Sequence, residues 1–146
     1  MADNQAKRIL GIDYGTKRVG IAISDPLGII ASPLETVARK RVVDKIKEIL
    51  QEFPFKKIVV GYPLRTDGKK GQRAEEVEKF ANKLEKIFTI KTELWDESYS
   101  TVEAERIMRT AGRKPSREKP SVDKIAAAVI LQSYLDERKE ERQVQN

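Results

Sequence analysis

Residues 8–24, RILGIDYGTKRVGIAIS, decide the architecture. RILGID (8–13) is a short apolar run that stops at Asp13, and RVGIAIS (18–24) is a second one. The turn-prone Tyr14, Gly15, Thr16 and Lys17 stand between them. Two such runs across a short glycine-containing link predict a β-hairpin. A third strand is expected from Ile29 to Thr36, where Pro33 marks an edge or a bulge. Val42, Ile46, Ile49, Leu50 and Phe53 recur at helical spacing until Pro54 blocks continuation. KIVVG (57–61) is a β-branched run suited to the interior of a sheet covered on both faces.

Ala74, Val77, Phe80, Ala81, Leu84, Ile87 and Phe88 trace one face of a long amphipathic helix, and Thr89 to Trp95 reads as a further strand. Ser100 and Glu103 have capping-box spacing, opening a helix with Ala104, Ile107, Met108 and Ala111 inside and Gly112 at its end. RKPSREKP (113–120), with its two prolines, predicts an exposed, mobile basic loop. Ser121 is placed to cap a last helix, apolar on all sides from Ile125 to Leu131 and therefore buried. DERKEERQVQN (136–146) is a solvated end. The order of elements predicts one α/β domain over residues 1–146. Its mixed sheet of about five strands is antiparallel over the first three, then parallel, and flanked by helices.

The composition bounds the chemistry. The 146 residues carry 29 Lys plus Arg against 23 Asp plus Glu, a net charge of +6, with no Cys and no His. Thiol and imidazole nucleophiles, Ser-His-Asp triads and nearly all structural zinc sites are thereby excluded. Carboxylates remain as metal ligands or acid–base groups. MADNQAKR has no signal-peptide pattern and no stretch approaches the ~18 apolar residues of a membrane span, so a cytoplasmic protein with no membrane partner is expected.

Three acids stand at element ends. Asp13 closes the first strand, where open α/β sheets place ligand crevices, or else caps its own turn. Asp96 and Glu97 follow a neighbouring strand, a place that helix-entry chemistry also explains. Asp123 lies near the start of the last helix, where the helix dipole is a sufficient structural reason. Carboxylates gathered together repel one another, so convergence of these acids implies a bound metal or a raised pKa. An oxygen-only site suits magnesium or manganese. Lys17 and Arg18 flank the first acid. Arg65, Lys69, Lys70 and Arg73 fall in one loop, and Arg109, Arg113, Lys114, Arg117 and Lys119 in or beside another. Together they offer a surface for nucleic-acid phosphates, or a merely solvated face. Tyr14, Tyr62 and Tyr99 lie in the same connecting segments, where a tyrosine stacks on an unpaired base or, more commonly, borders a core.

GIDYGTKRVGIAISD (11–25) resembles the opening signature of the YqgF family. These are RNase H-like bacterial proteins taken for Holliday-junction resolvases and implicated in maturing the ends of pre-16S ribosomal RNA. VGYPLRTDGKKG (60–71), LWDESYSTVEA (94–104) and SVDKIAAAVIL (121–131) agree with it in order and spacing, so the resemblance covers nearly the whole chain. It implies an RNase H-like fold in which Asp13, Asp96 or Glu97, and Asp123 converge on Mg2+ or Mn2+. Glu97 is the preferred member of its pair, and Asp13, Glu97 and Asp123 are the expected catalytic residues. It further implies a nuclease acting on structured RNA such as pre-16S rRNA, in contact with ribosomal particles, or on branched DNA, for which a two-fold homodimer would match the substrate. A non-catalytic RNA-binding assembly factor is the other class. The chain departs from the family at Ser98 and Tyr99, where Arg and often Leu are usual. Asp13-x-Gly-Thr16 also resembles the phosphate loop of actin-like ATPases, but 146 residues leave no room for the two domains those need.

Overall fold

The computed structural model describes residues 8–63 and 71–145, with side chains as far as Arg138. The expected hairpin is β1 (Arg8–Tyr14) and β2 (Arg18–Ser24), pairing Leu10 with Ile23 and Tyr14 with Val19. β3 (Ala31–Ala38) pairs antiparallel with β2 as the edge strand. Both readings of Pro33 hold. The strand lies on the rim, and its register slips by one residue where Ile21 faces Glu35 but Ala22 faces Pro33, leaving Leu34 as a bulge.

β4 (Phe55–Tyr62) lies parallel to β1, and β5 (Lys91–Asp96) parallel to β4, giving the order β3-β2-β1-β4-β5. α1 (Val42–Glu52) and α2 (Gln72–Phe88) cover one face, where Leu10, Ile12, Val19, Ile21, Ile58 and Val60 meet Ile46, Val77, Phe80 and Leu84. The long α4 (Lys119–Gln145) covers the other, with α3 (Ser100–Thr110) packed against it through Ala104, Met108, Val122 and Ala126. None of the described helices is long and apolar enough to cross a membrane.

Because side chains alternate along a strand, residues of opposite parity line opposite faces. The α4 side carries Ile9, Gly11 and Asp13 on β1, Gly20 and Ala22 on β2, and Val59 and Gly61 on β4. The small residues among them, Gly11, Gly20, Ala22 and Gly61, leave a trench into which α4 sinks. A Cβ on Gly11 would stand 2.7 Å from Leu131 Cβ, and one on Gly20 only 2.0 Å from the carbonyl oxygen of Asp123.

Three expectations are corrected at the chain's turns. Residues 113–120 are not one loop: Pro115–Arg117 form a 3-10 turn, Arg113 pairs with Glu118, and α4 already begins at Lys119. Pro120 fits its first turn because a proline there forfeits no helical hydrogen bond. Asp123 is therefore one turn inside α4, beyond the reach of a simple end-dipole explanation. The capping box does not form. Ser100 is buried as the first residue of α3, no side chain caps that end, and Glu103 pairs with Arg106 instead. β5 starts at Lys91, because Thr89 takes a left-handed conformation that ends α2.

Candidate active site

The trench opens at the C-terminal end of β1. There Asp13, Glu97 and Asp123 line one cleft of about 430 Å³ together with Gly15, Thr16, Lys17, Arg18, Arg73 and the first residues of α3. Each acid is placed by a different element. Asp13 comes from the trench side of β1. Glu97 follows β5 and is anchored by its own N–H, which donates to the carbonyl of Tyr62 at 3.1 Å. Gly61 leaves room for it, since a Cβ there would lie 3.0 Å from Glu97 Oε2. Asp123 hangs from the turn of α4 that rests on Gly20.

Asp13 and Glu97 are hydrogen-bonded to each other. Burial, then the charges of Glu97 and Asp123, push Asp13 from 3.8 up to about 7. Burial also raises Glu97, against the pull of Arg73 and of the hydrogen bond from Asp13. The pair therefore gives up its protons less readily than isolated carboxyls do. Asp123 is a neighbour of the pair without joining it, because its Oδ2 accepts a 2.5 Å bond from Arg18 Nε. Asp96 is turned away. Exposed at the end of β5, its Oδ1 accepts from the backbone N–H of Ser98 at 2.8 Å and from the Ser98 hydroxyl at 2.6 Å. Among the described residues, no three acidic side chains stand grouped to hold one ion as they are.

The basic candidates separate by position. Lys17 and Arg18 border the acids. Arg73 donates to the carbonyl of Tyr14 at 3.1 Å, and its charge pulls the pKa of both Asp13 and Glu97 down. Arg73→Gln should therefore raise the pH at which the pair ionises, read as the carbon-13 titration of the two carboxyls. A midpoint that stays put would show that Arg73 only braces the Tyr14 carbonyl.

A second, basic trough of about 640 Å³ continues from the cleft, with Arg18, Thr101 and Asp123 common to both and Arg109, Arg113, Lys114 and Lys119 along it. Arg113 spends its charge on Glu118, and Arg117 is exposed outside the trough's lining. Arg65, Lys69 and Lys70 lie outside the described residues. Tyr14 borders the core, stacked on Phe80 at 3.8 Å with the Arg39 guanidinium over its other face at 4.2 Å. Tyr62 donates to Glu78 at 2.6 Å. Thr16, Ser100 and Thr101, which line the cleft, are not among the site residues expected from the sequence. Their signal is proximity to Asp13 and Glu97 along the chain.

A family model described as RuvX, Holliday junction resolvase, matches residues 7–137. A protein of Syntrophus aciditrophicus is 45% identical over 138 residues, spanning 92% of each chain, and one of Geobacillus kaustophilus is 43% identical over 137, spanning 90% of this chain and 99% of that one. Both bear the name "Putative pre-16S rRNA nuclease". Among solved structures, Thermus thermophilus RuvC in complex with a Holliday junction substrate superposes with a TM-score of 0.53 at 16% identity, covering 91% of this chain and 96% of that one. The fowlpox virus Holliday junction resolvase gives 0.50 at 13%, covering 89% and 99%. The fold is that of these RNase H-like resolvases, as the four motifs implied.

Proposed function

Because this chain belongs to the RuvX family, we propose that it is a divalent-metal-dependent nuclease hydrolysing phosphodiester bonds in precursor 16S ribosomal RNA in the cytoplasm. The observation that carries the reading is the close carboxyl pair Asp13–Glu97, with Asp123 beside it, at the head of a cleft that runs on into a basic trough. The names of the relatives supply the substrate.

The donor set fits magnesium or manganese. It is all oxygen and half-buried, and its crowded carboxylates repel one another, which a cation would relieve. Asp13 and Glu97 would hold the ion, with Asp123 as third ligand once released by Arg18. When bound, the ion would polarise a phosphoryl oxygen and acidify a water. The protein's own residues do the rest. A substrate phosphate competes for the Arg18 guanidinium and thereby frees Asp123 to turn toward the pair. Lys17 steadies the same stretch of backbone by charge. Arg73 holds the proton affinity of the pair low enough for it to ionise near neutral pH. Lys114 and Lys119 track the strand beyond the cleft, with Arg113 joining when a phosphate displaces Glu118, and Arg117 adds charge from outside.

Cleavage of a labelled pre-16S rRNA fragment and of a four-way DNA junction, side by side, tests the reading. Cutting of the RNA is expected with magnesium or manganese and none in EDTA. Preference for the junction would make branched DNA the substrate and call for a dimer. Binding without cleavage of either would leave an RNA-binding assembly factor.

A further inference from the structure

Tyr99 is out of keeping with its surroundings. It sits in the turn from Glu97 to Ser100, closed by a 3.0 Å bond from the Ser100 N–H to the Glu97 carbonyl, with φ 66° and ψ 7°. Turns give such a left-handed position to glycine or asparagine, because a larger side chain there costs stability. It is also the residue preceding α3, where an extended residue with a capping oxygen is usual, and Tyr99 supplies neither. Nothing in the fold compensates. The ring is 81% exposed and makes no hydrogen bond or ring contact with another described residue. Thr89, the other described non-glycine residue with positive φ, at least closes the end of α2.

What the ring does have is a position. It lines the cleft two residues from Glu97, beside Val102, which is itself 62% exposed. The bond pair from Ser98 to Asp96 fixes the turn that presents it. We infer that Tyr99 is a stacking platform for an unpaired nucleobase next to the bond to be cut, and that it selects strands whose nucleotides are unpaired there.

Every nucleobase has a flat face, whereas in a duplex both faces are occupied by neighbouring pairs. Lys17 and Arg18 hold the backbone on one side of the cleft while the base swings toward Tyr99 and Val102. The inference rests on reading the cleft as a nucleic-acid site, and the unpaired base can come from an RNA end or from a DNA branch point. Both sources enter the test.

The test is binding in EDTA, where no cleavage intervenes, of short RNA and DNA single strands bearing one 2-aminopurine, of the matching duplexes and of a four-way junction. The intact protein should quench the 2-aminopurine of a single strand. Tyr99→Ala should weaken single-strand binding about 5- to 100-fold and abolish the quench, Tyr99→Phe should retain both within about twofold, and duplex affinity should not move. Tyr99→Gly separates stacking from structure, since glycine is at home at this φ: its melting temperature should stay within about 3 °C of the parent while binding falls as in the Ala variant. Equal losses on single strands and duplexes, or no loss on either, would overturn the inference, as would a parent protein with no affinity for single strands. Stacking without cleavage in magnesium would overturn the nuclease reading alone. Binding and cleavage indifferent to Tyr99 would overturn this inference alone.

Discussion

Asp13→Asn is expected to lower phosphodiester cleavage by about a thousandfold or more while making the folded protein more stable above neutral pH. The first half follows from the proposed ligand set. An ion acting on a phosphoryl oxygen supplies several kcal/mol of transition-state stabilisation, and a neutral amide in place of a primary carboxylate forfeits most of it. The second half follows from the carboxyl's surroundings. Asp13 is raised from 3.8 to about 7 by burial and by Glu97 and Asp123. Between those values the folded protein holds a proton that the unfolded chain has already released, so stability falls as the pH climbs from about 4 through about 7, and the whole penalty is present above that. Asparagine carries no such penalty and can still donate to Glu97. Its gain should be absent below pH 4 and reach on the order of 2–4 kcal/mol at pH 8. Urea unfolding of both proteins across that range, beside cleavage at one pH, reads both halves. Retained cutting would remove Asp13 from the chemistry, and a variant less stable at pH 8 would show that the carboxylate is better compensated than its environment indicates.

Gly20→Ala should unfold the protein at a temperature roughly 10 °C lower and depress cleavage in what remains folded. The added Cβ would meet the Asp123 carbonyl at 2.0 Å and the following amide nitrogen at 2.9 Å, both backbone atoms of a helix that cannot swing aside like a side chain. Overpacking against so stiff a neighbour costs about 3 kcal/mol, which in a chain of this size is that many degrees. The shift of α4 that relieves the clash carries Asp123 out of the cleft, so stability and activity fall together. Gly112→Ala is the contrasting case. Gly112 has φ 78° and open space around it, and it ends α3 with bonds from its own N–H to Arg109 and from Arg113 to Met108. Losing its conformational freedom costs about 1 kcal/mol and should leave cleavage untouched. Thermal melts and cleavage rates of the two variants decide whether the trench, or glycine content as such, matters. Gly20→Ala with normal stability would mean that the backbone of α4 does not press on β2 at Gly20.

What the sequence made legible was what local rules govern. The hairpin, the buried β4 and the helical period of α2 follow from alternation and spacing, and Pro33 announced both the rim and the bulge. Capping chemistry was less legible. Ser100 and Glu103 have the right spacing, yet the turn fixed by Asp96 and Ser98 brings Ser100 into α3 and buries it, leaving no serine free to cap. Asp123 invited a dipole explanation only because Ser121 reads as the cap of a helix that in fact begins at Lys119. The bond from Arg18 to Asp123 joins residues 105 apart and has no local signature at all. The trench did have one: Gly11 and Asp13 stand two apart on one strand, as do Gly20 and Ala22 on the next, and the register pairs Gly11 with Ala22 and Asp13 with Gly20, so small residues gather on one face, where a helix comes too close for larger ones.

The two rims of the sheet also bear on company. β3 ends one rim with a proline and a bulge, and β5 ends the other with six residues that include the ion-paired Lys91 and Glu93. Neither is a template on which a further strand could zip, since kinks, charges and shortness are the means by which sheets refuse extension. Two copies meeting over a symmetrical substrate would have to join through helical surfaces. A continuous ten-stranded sheet is closed to them, and so is the strand-by-strand growth from which fibrils are made.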